Sequence, residues 1–147
     1  MTTMRKDLAI LPVPIAKRAR AQKGGVLVEF AFILPLFLVL LFGMITFSTA
    51  LYNKTVLTMA TREGARAGAI YDPDGTNTSI ARAQAAALQV CQNNLISFGP
   101  DMTANVTANV TPTSSGDILT VTASGNYSGI FLFSGFVLSA QTSMRLE

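Results

Sequence analysis

The chain has 147 residues, half of them hydrophobic and only 13% charged, where an ordinary soluble domain carries about 25%. It has no histidine and a single cysteine, Cys91, which excludes His/Cys metal sites, histidine-based catalytic triads and any internal disulfide. The formal charge of +3 is unevenly placed: residues 1–24 hold Arg5, Lys6, Lys17, Arg18, Arg20 and Lys23 against Asp7, a net of +5, and the remainder is −2.

A basic chain raises the question of nucleic acid, but here the basic excess is confined to the segment before an apolar run. Membrane topology explains that placement, and no nucleic-acid partner is expected. Residues 30–53 carry no charge at all. As a helix they would rise about 36 Å at ~1.5 Å per residue, against a hydrocarbon core of about 30 Å. Pro35 removes one backbone donor, which a membrane helix tolerates, and Tyr52 suits an interface. Lys17, Arg18, Arg20 and Lys23 lie close to the span, whereas only Lys54 is near on the far side. The positive-inside rule therefore keeps the N-terminus cytoplasmic and exports the C-terminal part. Ser48-Thr49-Ala50 would suit a signal peptidase, but the apolar run exceeds the roughly 7–15 residues of a cleaved signal. The expected organisation is a leader (1–24), a transmembrane helix (25–53) and an exported domain (54–147).

Glu29 stands at the edge of this apolar segment, where a carboxylate costs free energy and a passive anchor has no use for it. It follows Lys23-Gly24-Gly25-Val26-Leu27-Val28 and precedes Phe30. Basic leader, glycine, short apolar stretch, glutamate and aromatic together resemble the processing site of type IV prepilins, most closely the Flp branch. The resemblance implies a membrane-embedded prepilin peptidase cutting between Gly24 and Gly25, leaving Glu29 as the fifth mature residue. A cut after Gly25 would leave it fourth, and the family spacing favours the first. Gly24 has no side chain to obstruct an extended backbone in a peptidase cleft. The new α-amino group of Gly25 would then be available to pair with the Glu29 carboxylate of a neighbouring subunit. An unpaired charge in a low-dielectric bundle costs several kcal/mol, so such a pair would set axial stagger.

Helical character is expected to continue to about residue 70. Ala60, Gly64 and Gly68 recur every four residues, a small-residue stripe suited to close helix packing. Arg62 and Arg66 fall on an adjacent charged face, with Glu63 placed to pair with Arg66 at i, i+3. The segment Thr61-Arg62-Glu63-Gly64-Ala65-Arg66-Ala67-Gly68-Ala69 resembles the REGAR segment of TadE-like proteins, pseudopilins of the tight-adherence (Tad/Flp) pilus system. Val28-Glu29-Phe30-Ala31…Leu34-Pro35 matches their opening, and Met144-Arg145-Leu146-Glu147 their closing strand more loosely. Phe30 stands where the major Flp pilins have Tyr, and the chain is longer than those pilins. Both point to the minor-pseudopilin branch.

Asp72-Pro73-Asp74-Gly75 is a turn signal; as a calcium loop it fails, because the twelfth position is Ala83 rather than Glu. Residues 79–96 read as an amphipathic helix with Ile80, Gln84, Ala87, Leu88, Cys91 and Leu95 on one stripe, Asn77 or Thr78 as cap, and Gly99-Pro100 as terminator. Its Ala-rich surface suits packing on the first helix. Three strands follow by period-two alternation: 103–111; 117–124 with Leu119, Val121 and Ala123 inward; and 136–146 with Leu138, Ala140, Thr142, Met144 and Leu146 on one side. The apolar connection Ile130–Phe136 either closes the small core or marks a partner surface. Five Asn-x-Ser/Thr sequons (Asn53, Asn77, Asn105, Asn109, Asn126) follow from a Thr- and Asn-rich composition.

The fold expected is therefore α+β: a long N-terminal transmembrane helix, then a second helix on a three-stranded antiparallel sheet, as in pilins. No clustered nucleophile and base appears, so no enzymatic activity, cofactor or metal is expected. The resemblance implies a minor pseudopilin, processed by a prepilin peptidase and working in assembly of an adhesive Tad/Flp-type pilus. Its partners would be that peptidase, other pilins and pseudopilins, the inner-membrane assembly platform and membrane lipid. It would reside in the bacterial inner membrane, with possible incorporation into the pilus. The alternative is a static single-pass protein whose exported domain binds an envelope or surface partner.

Overall fold

The structure, a computed structural model, describes residues 19–70, 78–130 and 134–146. The leader cations up to Arg18, the Asp72–Gly75 turn, Asn77, residues 131–133 of the apolar connection and Glu147 lie outside the described residues. Two helices and three strands follow in chain order: α1 (Ala19–Ala69), α2 (Ser79–Asn94), β1 (Ala104–Thr111), β2 (Ile118–Ser128) and β3 (Ser134–Arg145). The architecture is α+β, with one long apolar N-terminal helix, a second helix and an antiparallel three-stranded sheet. The chain divides into two compact units, Met1–Leu38 and Val39–Glu147.

In the first unit the described residues all belong to α1, and every side chain from Gly24 to Leu38 is exposed. Pro35 sits within the helix without ending it. This segment lies within the one described helix long and apolar enough to cross a membrane. Further along α1, hydroxyls are satisfied inside the helix: Ser48 Oγ donates to Met44 O at 2.9 Å and Thr49 Oγ1 to Ile45 O at 3.0 Å. Back-bonding of this kind lets hydroxyls sit in an apolar run without exposing an unmet donor.

In the second unit β2 is the central strand, paired antiparallel to β1 and β3. Its alternation places Leu119, Val121, Ala123, Gly125 and Tyr127 on the buried face. The register sets Val106 opposite Ala123, Ala108 opposite Val121, and Ala140 opposite Ala123 on the other side. These residues join Leu57, Ala60 and Ala65 of α1 and Ala83, Ala87 and Cys91 of α2 in a single core cluster. The sequence places β2 at 117–124, but the strand runs on to Ser128. Gly125, which reads as a breaker, is retained for space: a Cβ there would come within 2.6 Å of Met102 Cε. β3 starts at Ser134, two residues before the expected 136, with Gly135 at φ 87°. Met144, expected to share the inward stripe of β3, is exposed.

α2 is capped by Thr78, whose Oγ1 accepts from Ala81 N–H at 3.3 Å. It ends at Asn94 rather than 96, because Leu95 leaves helical geometry while its N–H still donates to Cys91 O. Its buried line is Ala83, Ala87 and Cys91, with Ile80, Leu88 and Leu95 of the expected stripe partly buried against the core and Ala83 rather than Gln84 the buried member of its turn. Alanine at 83 and 87 is what permits close approach to α1.

Candidate functional site

Gly24, Gly25, Glu29 and Phe30 lie together on the N-terminal part of α1, all exposed. A Cβ built at Gly24 or Gly25 would meet nothing within 4 Å, so neither glycine is required by the chain's own packing. Both lie inside α1, in helical rather than extended backbone. Entry into a protease cleft therefore requires local unwinding. Two adjacent glycines, each about 1 kcal/mol poorer than alanine in a helix interior, make this the easiest stretch of α1 to open.

The Glu29 carboxylate has no ion pair among the described residues; the ion pair found there joins Arg66 Nη1 to Glu63 Oε2 at 3.9 Å. That pair is i, i+3 and largely exposed on both sides, worth about 0.5 kcal/mol at most. Arg62 is exposed beside it. Ala60, Gly64 and Gly68 lie on the opposite, buried side of α1. A Cβ on Gly64 would stand 2.7 Å from Ala83 O, 2.9 Å from Ala87 Cβ and 3.3 Å from Val121 Cγ1. On Gly68 it would collide with Leu119 Cδ2, and lie 2.8 Å from Ser79 O and 2.9 Å from Ala83 Cβ. The small-residue stripe is thus occupied by α2 and β2 of the same chain.

Four further residues, given no packing role by the sequence, tie α1 to the sheet and its loops. Thr46 is buried; its carbonyl accepts from Tyr127 Oη–H at 3.3 Å and its Oγ1 accepts from Ile130 N–H at 3.4 Å. Asn53 is fully buried and grips Ile96 at both ends, donating from Nδ2 to the carbonyl at 2.6 Å and accepting from the N–H at 3.0 Å. A side-chain amide paired in this way replaces a missing backbone partner for an otherwise orphaned peptide group. Thr61 Oγ1 meets Thr142 Oγ1 of β3 at 2.9 Å, and Lys54 Nζ donates to Ser139 O. At the C-terminal end of α1, Arg82 Nη2 donates to Ile70 O at 2.5 Å, placing a cation where the helix dipole favours one. The only sequence signal for Asn53 and Thr46 was their polarity within an otherwise apolar run.

Cys91 is a free, buried thiol, and burial pushes its pKa up. A thiol kept neutral in this way is a poor nucleophile. Among the described residues no group of His, Cys, Asp and Glu could hold a metal ion.

A comparison with protein-family models matches residues 24–66 to the family described as TadE-like protein. Residues 24–66 are TadE-like. The matched stretch runs from the Gly24-Gly25 pair through Glu29 and the apolar run to Arg66, and so includes the opening motif and the REGAR residues but not the closing Met144–Glu147. The match supports an involvement in the Tad pilus system in general. The same stretch contains most of the one described helix long and apolar enough to cross a membrane, which suggests single-pass membrane anchoring. Neither the curated proteins nor the solved structures compared with the chain gave a match.

Proposed function

We propose that the chain is a minor pseudopilin whose leader is removed between Gly24 and Gly25 by a prepilin peptidase, and which then takes part in assembly of a Tad/Flp-type pilus for surface adhesion. The observation that carries this reading is the TadE-like match over residues 24–66, a stretch that begins at the glycine pair and contains Glu29. Before processing, α1 spans the bacterial inner membrane with its N-terminus in the cytoplasm. The lipid-embedded part runs from about Gly25 to about Met44. Beyond it, Thr46 and Asn53 are buried in the second unit and bonded to it. That span is about 20 residues, or about 30 Å of helix, matching the hydrocarbon core.

Secretion-signal cleavage after Ala50 fits this structure poorly. Such a cut would remove Thr46 from Tyr127 and Ile130, and would leave Tyr127, fully buried, without its acceptor. The prepilin cut touches no residue on which the second unit depends.

In the assembled state the Glu29 carboxylate of one subunit neutralises the Gly25 amine of its neighbour. Glu29 then has a counter-charge that the described residues of its own chain do not supply, and the stagger between subunits is fixed by the cost of leaving either charge unpaired. Glu29→Ala removes only the carboxylate from an exposed position. The expected outcome is normal membrane insertion and normal abundance with surface piliation largely lost, read by membrane fractionation and by electron microscopy of pili. Normal piliation in that variant would count against the ion pair. A static envelope-binding protein predicts no change at all.

A further inference from the structure

An apolar groove of about 390 Å³ lies inside the second unit, between α1 and the start of β3. Gly43, Phe47 and Leu51 form one wall, and Phe136, Val137 and Leu138 the other. We propose that this groove holds an acyl chain of the outer-leaflet phospholipid, so that the N-terminal end of β3 sits in the membrane surface rather than above it.

Three observations support a lipid as the occupant. The α1 wall begins at Gly43, where the lipid-embedded stretch ends at about Met44, and belongs to the same charge-free run, residues 30–53, so the groove opens at the membrane surface. Phe136 and Val137 remain 51% and 69% exposed at the strand end, large apolar side chains left largely uncovered by the described residues. The polar groups bordering the groove are already satisfied. Thr46 accepts from Tyr127 and Ile130, and Lys54, at one end of the α1 wall, spends one of its three donors on Ser139 O. The remaining ammonium donors are available to a lipid phosphate reached by the long lysine side chain, an arrangement typical of lysine near a membrane interface. A polar ligand would find nothing to bond inside the groove. A chain of methylenes would need nothing.

This inference rests on membrane anchoring by α1 and not on leader removal, so a Gly24→Leu chain should behave in the same way. The protein contains no tryptophan, which makes a single introduced indole an unambiguous reporter. Phe136→Trp and, as a second position, Val137→Trp would be placed in the full chain. Each would be reconstituted at one copy per phosphatidylcholine nanodisc, with and without lipid brominated along its acyl chains. Gln141→Trp, further along the exposed face of β3, serves as control. The expected result is blue-shifted emission at 136 and 137 with most of the fluorescence lost to brominated lipid, and solvent-like, unquenched emission at 141. Solvent-like emission at both 136 and 137 would overturn the proposal. So would a blue shift that appears only with several copies per disc and is insensitive to bromine, because the occupant would then be a second subunit.

Discussion

Gly24→Leu should abolish leader removal while leaving the stability of the folded chain unchanged. The two effects separate because a side chain at Gly24 meets open space in the chain's own structure. A surface substitution of that kind usually changes stability by less than about 0.5 kcal/mol, and leucine in place of glycine improves local helix propensity by a similar order. Both changes act against the peptidase. The leucine side chain occupies cleft space that glycine leaves empty, and the firmer helix resists the unwinding that an extended substrate requires. The measurement is a pair: a denaturant melt of the full chain in detergent, and the mobility of the membrane-bound protein in cells carrying the peptidase. The expected pattern is an unshifted midpoint and quantitative retention of the leader. Retained processing would show that Gly24 is not the recognition residue.

Gly68→Leu should do the reverse, destabilising the second unit without affecting the cut. Its new Cβ runs into Leu119 Cδ2 and stands 2.8 Å from the Ser79 carbonyl oxygen. The first neighbour is the end of a flexible side chain and can move. The second is backbone at the first residue of α2 and can yield only if the helix shifts. Overpacking costs typically 1–3 kcal/mol, occasionally more, partly offset by the ~1 kcal/mol that replacing glycine returns in helix propensity. A net loss of about 1–2 kcal/mol is expected, enough to lower the urea midpoint by roughly 0.5–1 M at a slope of about 2 kcal/mol/M. Gly64→Leu should resemble it, since Ala83 O lies 2.7 Å from the new Cβ. An unshifted midpoint at both positions would mean that α1 and α2 do not approach as described.

These two glycine sites explain why parts of the structure could be read from the sequence and others could not. Period-two alternation places Leu119, Val121 and Ala123 on the buried face of β2 correctly, because a one-residue slip would turn every apolar side chain outward. The ends of elements depend on tertiary neighbours instead. Gly125 looks like a strand breaker until Met102 is seen filling the space beside it, and α2 stops at Asn94 where Asn53 holds Ile96 out of helical geometry. The link between residues 53 and 96 has no local sequence signature. The spacing of Ala60, Gly64 and Gly68 signals close packing but not its occupant, which is α2 and β2 of the same chain. The reading of the Gly24–Phe30 region is of a different kind. It depends on local chemistry and a short spacing, and its residues make few contacts that could override them.

That division bears on how α1 works. Its lower part, through Leu38, presents exposed apolar side chains and one carboxylate; its upper part is built into the second unit by Thr46, Asn53, Thr61 and the glycine stripe. In the proposed pseudopilin the surface offered to other subunits is the lower part, with Glu29 near its start.

The most direct test is the N-terminal sequence of the protein extracted from membranes of cells that make the pilus. The account predicts a mature chain beginning at Gly25, with Glu29 fifth. An intact leader, or a chain beginning at Leu51, would contradict it.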